Sequence, residues 1–179
     1  MLTHIRPAFT LLALFTLLLG LAYPLAITGA AQLALPWQAN GSQILRDGQV
    51  VGSALIGQDF TAPGYFHSRP SAANYDAMAS GGSNLGPLSQ KLIDRVTGDV
   101  AGRGGVAADA VTTSASGLDP DISVANALDQ VARVAAARGM TSANLTALVT
   151  GQIQGRLFGL LGEPRVNVLR LNLALDAAN

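Results

Sequence analysis

AFTLLALFTLLLGLAYPLAITGAAQLAL, residues 8–35, is a run of 28 residues without one Asp, Glu, Lys or Arg. A helix rises about 1.5 Å per residue, so about 20 apolar residues cross a hydrocarbon core of about 30 Å. The run is long enough with residues to spare, and a helix satisfies its own backbone hydrogen bonds where lipid cannot. A cleaved signal peptide is the alternative. Its apolar core is usually about 7–15 residues and is followed by small residues, a pattern that Pro24 and Thr28-Gly29-Ala30-Ala31 imitate. Residues 11–25 stay apolar without a break, and Leu33 and Leu35 carry the character onward. That length favours an uncleaved anchor.

The predicted helix has faces. Gly20, Pro24, Thr28 and Gln32 recur every fourth residue and line one side, with Ala22, Ala26 and Ala30 as a second small stripe. Small and weakly polar residues let another helix approach closely, which makes Gly20, Pro24, Thr28 and Gln32 the candidate partner-helix face. Small residues are also common in membrane helices generally. Pro24 frees the carbonyl of Gly20, which then needs another donor. One helix cannot enclose a pore, so any transport role requires other subunits. Arg6 precedes the span, and the next charges are Arg46 and Asp47. The positive-inside rule therefore puts residues 1–7 in the cytoplasm and residues 36–179 outside it.

Outward from the span, Trp37 suits a membrane interface, where an indole is half buried and still donates its N–H. Asn40-Gly41-Ser42 predicts a turn, and residues 49–57 (QVVGSALIG) a short strand weakened by Gly52. Residues 60–72 form a loop that clusters Phe60, Tyr65, Phe66, His67 and Arg69, read as a loop pinned by its aromatics or as a site. A helix is expected from near Pro87, with Leu88, Leu92, Val96 and Val100 on one stripe and residues 102–105 ending it. Ala110-Val111-Thr112-Thr113 reads as a short strand. Ser123 is placed as the N-cap of a helix to Arg138 that buries Val124, Leu128, Val131 and Ala135, leaves Arg133 and Arg138 wet, and stops at Gly139. Ser142 is placed as the next cap, ahead of Leu145, Leu148, Val149 and Ile153. Leu169, Leu171, Leu173 and Leu175 alternate with polar residues, which predicts a half-buried strand, with a helix as the alternative. The whole reads as a single N-terminal transmembrane helix (residues 8–35) followed by an α+β soluble domain (residues 36–179).

Composition excludes much chemistry. Charge is balanced at 11 basic and 11 acidic residues, and Lys91 is the only lysine, so no basic patch points to nucleic acid. Without cysteine there is neither a disulfide framework nor a cysteine-ligated zinc. No P-loop or Gly-x-Ser-x-Gly elbow occurs, and His4 and His67 lie on opposite sides of the span. Asp119 and Asp121 flank Pro120 as a helix-start signal. Twenty glycines and a 12 % charged fraction suit a domain covered by partners or membrane. One motif remains: Ser80, Gly81, Gly82, Ser83 and Asn84. Consecutive glycines can present N–H groups to a phosphate, although a tight turn ahead of a helix is the reading composition favours.

These residues also carry a resemblance. YPLAITGAAQ (23–32), PWQANGS (36–42), VGSALIGQDF (51–60), YFHSRPSA (65–72), SGGSNLGP (80–87), SASGLDPDIS (114–123), RVAAARG (133–139) and GEPRVNVLRLNLALD (162–176) stand in the order seen in the C subunit of the bacterial Kdp-type potassium-transporting P-type ATPase. Trp37 stands where that family more usually has Phe. The resemblance implies a single-pass accessory subunit of the bacterial inner membrane, with its main domain periplasmic. Its implied partners are the bilayer, a channel-like potassium-selective subunit and a P-type pump subunit. The pump's phosphorylated Asp-Lys-Thr-Gly motif is absent, so this chain is not expected to be the catalytic subunit. The family is described as a catalytic chaperone that raises the pump's affinity for ATP. Residues 80–84 resemble the Ser-Gly-Gly core of the ABC-transporter signature, which implies nucleotide contact there. An outward-facing domain conflicts with direct contact, and action on ATP affinity through the membrane helices reconciles the two. No cofactor is expected on this chain itself, with ATP entering through the complex. The competing reading is an anchored or secreted hydrolase using His67, Arg69, Ser80 and Ser83.

Overall fold

A computed structural model describes residues 2–103 and 107–178. It divides into two units, Met1–Gln43 and Ile44–Asn179. The first is one long apolar helix, Ile5–Ala34, none of it buried, followed by a short elbow. The second mixes short helices with two small sheets.

The long helix is not uniform. Helix α1 (Ile5–Leu17) passes through a π-helical turn at Leu18–Ala22 into α2 (Tyr23–Ala34). The Tyr23 N–H reaches back five residues to the Leu18 carbonyl. Proline clashes with the carbonyl four residues before it, and a wider turn just upstream relieves that clash. The wider turn also advances each residue by a smaller angle, which keeps residues four apart closer to one face. After α2 the chain bends at Leu35 into a single turn, α3 (Pro36–Ala39). Gln32 and Asn40 close the bend with reciprocal amide hydrogen bonds of 3.2 and 3.0 Å. Asn40 also donates to the Pro36 carbonyl, and the Trp37 indole donates to the carbonyl of Gln43 at 3.0 Å. Gly41 takes φ +80°, as the expected turn requires.

After the elbow comes a hairpin, β1 (Gln43–Arg46) and β2 (Gln49–Ser53), all but its first residue in the second unit. Its loop is Asp47-Gly48 with φ 53° and 78°, the two-residue turn that matches strand twist. Strand β2 ends at Ser53, short of the predicted Gly57. Helix α4 (Gln90–Arg103) starts three residues after Pro87; Leu88 is 93 % exposed and Val100 is exposed too, so the expected stripe is not buried at either end. The stop expected at Gly104-Gly105 lies outside the described residues. Residues 110–113 are not a strand: Ala110 and Val111 end a short helical turn, α5 (Ala108–Val111), with both side chains buried.

Ser123 caps as predicted, its hydroxyl accepting from the Asn126 N–H. The predicted single helix is two, α6 (Val124–Asp129) and α7 (Val131–Arg138), joined at Gln130. The break shifts the buried face to Ala127, Val131, Val134 and Ala135, leaving Leu128 42 % exposed. Gly139 stops α7 at φ +66°. Thr141, not Ser142, caps α8 (Ser142–Gly151). Strand β5 (Arg165–Asn167) pairs antiparallel with β3 (Asp121–Ser123) and β4 (Ile153–Gln154), with Val166 opposite both Ile122 and Ile153. Beyond β5 the predicted strand gives way to its alternative, a helix: α9 (Val168–Ala177). The Asn167 side chain caps it, accepting from the Arg170 N–H at 3.1 Å. Leucine and alanine favour helix over strand, and the buried positions are Val168, Leu169, Leu171, Asn172 and Leu175, with Leu173 left out, a helical repeat rather than an alternating one. The core joins Phe66 and Ile122 to the inner faces of α6 to α9.

Candidate functional site

Two features are built with enough care to position function, one in each unit. In the first, Gly20 lies inside the π turn, Pro24 follows it and Thr28 sits one turn further on. Apart from the helix's own neighbouring backbone, no atom approaches within 4 Å of where a Cβ on Gly20 would lie. This is a smooth, open strip on a helix with no buried residue. Gln32 belongs to the same stripe by spacing, but both ends of its amide are engaged by Asn40.

In the second, residues 63–72 form an irregular segment whose backbone is held almost entirely by side chains. Asn172 on α9 accepts from the Phe66 N–H at 2.8 Å and donates to its carbonyl at 2.9 Å. Gln130, at the α6–α7 break, does the same for His67, at 2.7 and 3.0 Å. Arg133 donates to the carbonyls of Pro63 and Tyr65, and Arg138 to that of Gly64. The two arginines expected to be wet are therefore clamps, and Arg138 also lies 4.5 Å over the Tyr65 ring. Buried backbone needs partners, and a segment outside any sheet takes them from side chains. The loop is pinned, as one of its two predicted readings required, by buried amides and arginines as much as by its aromatics.

Carboxylates complete the frame. Asp176 accepts from Arg138 at 2.9 Å, Arg46 at 3.1 Å and Tyr65 at 3.3 Å. Burial opposes its ionisation, but these donors outweigh that and hold its pKa below the ordinary value. Asp109 behaves alike: burial is outweighed by the Ser123 N–H and hydroxyl and the Asn126 amide, and its pKa is lowered. Asp121 is the opposite case, raised by burial despite Arg165 at 2.8 Å. Asp119 pairs with Arg69 at 2.9 Å and its other oxygen accepts from the Asp121 N–H, in a loop ahead of β3 rather than at a helix start.

The glycine motif packs on another loop. The Gly81 N–H and the Ser80 hydroxyl both donate to the Ser116 carbonyl, at 2.9 and 2.8 Å. A Cβ on Gly82 would lie 3.1 Å from the Ala115 carbonyl oxygen, and one on Gly117 would lie 2.8 Å from that of Gly81. Asn84, rather than either motif glycine, takes a positive φ, 52°. Beside the motif is a cavity of about 550 Å³ lined by Ser71, Gly82, Ser83, Lys91, Arg95 and Thr113. Its neighbour, of about 460 Å³, is lined by His67, Arg69 and Tyr75 and shares Pro70, Ser71 and Arg95 with it.

The residues of the hydrolase reading are not brought together. His67 lines one cavity and Ser83 the other. The His67 ring nitrogen Nε2 lies 3.1 Å from the Ala62 carbonyl, Arg69 is paired with Asp119, and Ser80 with the Ser116 carbonyl. The amide clamps escaped sequence reasoning because their partners lie 63 and 106 residues away. Asp47-Gly48 did carry a readable hairpin signal.

The model of a family described as KdpC, K+-transporting ATPase, c chain, matches residues 5–177. The chain is 62 % identical to the potassium-transporting ATPase KdpC subunit of Allorhizobium ampelinum, covering 99 % of this chain and 98 % of that one. It is 62 % identical to the same-named subunit of Caulobacter vibrioides (99 % and 94 % covered) and 59 % identical to that of Gemmatimonas aurantiaca (99 % and 94 %). The match takes in the apolar helix, the elbow, the clamped segment and α9 alike, and the chain belongs to the KdpC family, the c chain of the K+-transporting ATPase.

Proposed function

We propose that this chain is the non-catalytic accessory subunit of an ATP-driven, high-affinity potassium uptake complex. It assembles and stabilises a channel-like potassium-selective subunit and a P-type pump subunit, and it raises the pump's affinity for ATP. The observation that carries this is the end-to-end match to the c chain of the K+-transporting ATPase, with the open helix strip and the clamped domain both inside it. The strip at Gly20, Pro24 and Thr28 is the surface through which the chain packs against a partner's helix. Gln32, tied to Asn40, sets the elbow that follows. The chain sits in the inner membrane with residues 1–7 cytoplasmic and residues 36–179 periplasmic, an orientation supported by Arg6 and the absence of charge up to Arg46.

With that orientation the domain acts on ATP affinity at a distance. Residues 80–84 then serve as a brace, since the Gly81 N–H and Ser80 hydroxyl already face Ser116. The other reading, contact between residues 80–84 and nucleotide phosphate, has the cavity bearing Ser83, Lys91 and Arg95 in its favour. Melting the full chain in millimolar ATP separates the two. A ligand at 100 times its dissociation constant adds about 2.7 kcal/mol; the brace reading expects no shift, and a shift removed by Ser83→Ala establishes the site.

The experiment for the main reading is affinity purification of the tagged full chain from detergent-solubilised membranes that also hold the other subunits. Both integral partners should be recovered with it, and its N-terminus should be Met1 or Leu2. Recovery of the chain alone, or a mature terminus near Gln32, would overturn the reading or the anchor respectively.

A further inference from the structure

Asn40 is the one asparagine in the chain followed by glycine. That pair carries a chemistry of its own. The backbone nitrogen of the second residue attacks the side-chain Cγ of the first and gives up its proton to water. The side-chain amide nitrogen leaves as ammonia, and water opens the resulting succinimide ring to aspartate or isoaspartate. Glycine has no Cβ to shield the attacking nitrogen. Asn40 and Gly41 are both exposed, so water reaches them.

The elbow keeps the two reacting atoms apart. Asn40 has φ −100° and ψ 25°, which turns the Gly41 nitrogen to the far side of the Cα–C bond from the side chain, whereas ring closure needs the two eclipsed. The Gly41 N–H is taken by the Gln38 carbonyl at 3.1 Å, and the Ser42 N–H by that of Trp37 at 3.0 Å. The Asn40 side chain is tied as well: Nδ2 donates to Gln32 at 3.0 Å and to the Pro36 carbonyl at 2.6 Å, and Oδ1 accepts from Gln32 at 3.2 Å. Attack therefore waits until the α3 turn unwinds and the Gln32 pair parts. The product cannot rebuild the bend, because a carboxylate has no N–H for the Gln32 or Pro36 oxygens and sets its charge against both. We infer that Asn40 is a deamidation site guarded by Gln32. Its deamidation is a one-way record of elbow opening, and it leaves a fixed negative charge just past the end of the apolar helix Ile5–Ala34.

The test incubates the purified full chain in warm, mildly alkaline detergent solution and follows Asn40 by peptide mapping and isoaspartate detection. The free peptide PWQANGSQ, residues 36–43, is the unguarded reference. The chain should deamidate at least about tenfold more slowly than the peptide, since several net hydrogen bonds must first open. Gln32→Ala, on an exposed helical position where alanine keeps the helix, should raise the rate at Asn40 about tenfold through the two bonds it removes. Gln32→Glu, which keeps the acceptor for Nδ2, should stay nearer the natural chain, a grading that general loosening would not produce. Trp37 is the only tryptophan, and its indole donates to the Gln43 carbonyl within the same elbow, so its fluorescence reports the bend. Asn40→Asp, the product of the reaction, should change that emission. Deamidation of the chain as fast as the peptide, an unreactive peptide, or equal rates for Gln32→Ala and the natural chain would overturn the guarded site. Identical Trp37 emission in Asn40→Asp would overturn the one-way record.

Discussion

Between Ile5 and Ala34 every Leu, Ile, Phe and Tyr is exposed, Phe9 and Leu25 both to 68 %, whereas Phe66, Leu145, Leu171 and Leu175 in the second unit have no exposed surface at all. The two regions are comparably apolar along these stretches and differ in how the backbone is satisfied. The helix closes its own hydrogen bonds, so its side chains need no core and are left for lipid or another helix. In the second unit residues 63–72 have no ladder to join, and Asn172, Gln130, Arg133 and Arg138 supply one from a distance. The core there, built from residues such as Phe66, Leu171 and Leu175, holds Gln130 and Asn172 in fixed positions from which their amides meet the segment.

That contrast can be broken most strongly at Phe66. Phe66→Ala removes a fully buried ring and should cost the domain about 3–5 kcal/mol, read as a large drop in melting temperature. Leu12→Ala, 64 % exposed, should leave the melt unchanged; equal effects would mean the helix has a core of its own. Next comes Asn172→Ala, which orphans the N–H and carbonyl of Phe66 at about 1–3 kcal/mol for each group left unpaired. A melt within a few tenths of a kcal/mol of wild type would show that the clamp is replaceable.

The first unit should respond to a change that the second does not feel. Gly20→Leu adds bulk to the open strip and should weaken assembly by about 1–3 kcal/mol where helices meet closely, with Leu12→Ala again the control. Equal recovery of the complex with both variants would remove this face. The smallest effect sharpens the comparison by pH. The carboxyls of Asp109 and Asp176 are held below their ordinary values by their donors, so the stability they contribute is complete above the unfolded carboxylate range, near 3.9. It drains away as pH falls through their lowered folded values. Asp121, raised by burial, has the opposite sign: its contribution is present below the unfolded value and is lost as pH rises through the folded one. Asp109→Asn should therefore shrink the difference between melts at pH 3 and pH 7 without abolishing it. An unchanged difference would contradict the assignment.

Local and compositional features were legible. The span needed only an uncharged run; the Ser123 cap and the Gly139 stop act within four residues of themselves. What failed were signals that two structures share. Leucine at every second position from 169 to 175 reads as a strand, yet the same residues put Leu171 and Leu175 one helical turn apart beside Val168 and Asn172. Gln130, a good helix former, gave no sign of the break that turns α6 away from α7. The clamped segment was visible as aromatic-rich loop, but its holders were not, because hydrogen bonds across 63 or 106 residues leave no periodicity.

In the proposed role this chain performs no hydrolysis and makes its partners' hydrolysis respond to less ATP. Potassium-dependent ATP hydrolysis should be measured with the purified full chain alone, with the partner subunits alone, and with the two combined. The chain alone should release no phosphate, and adding it to the partners should lower the ATP concentration needed for half-maximal turnover. Phosphate release by the chain alone, or an ATP dependence identical with and without it in complexes shown to contain it, would contradict that claim.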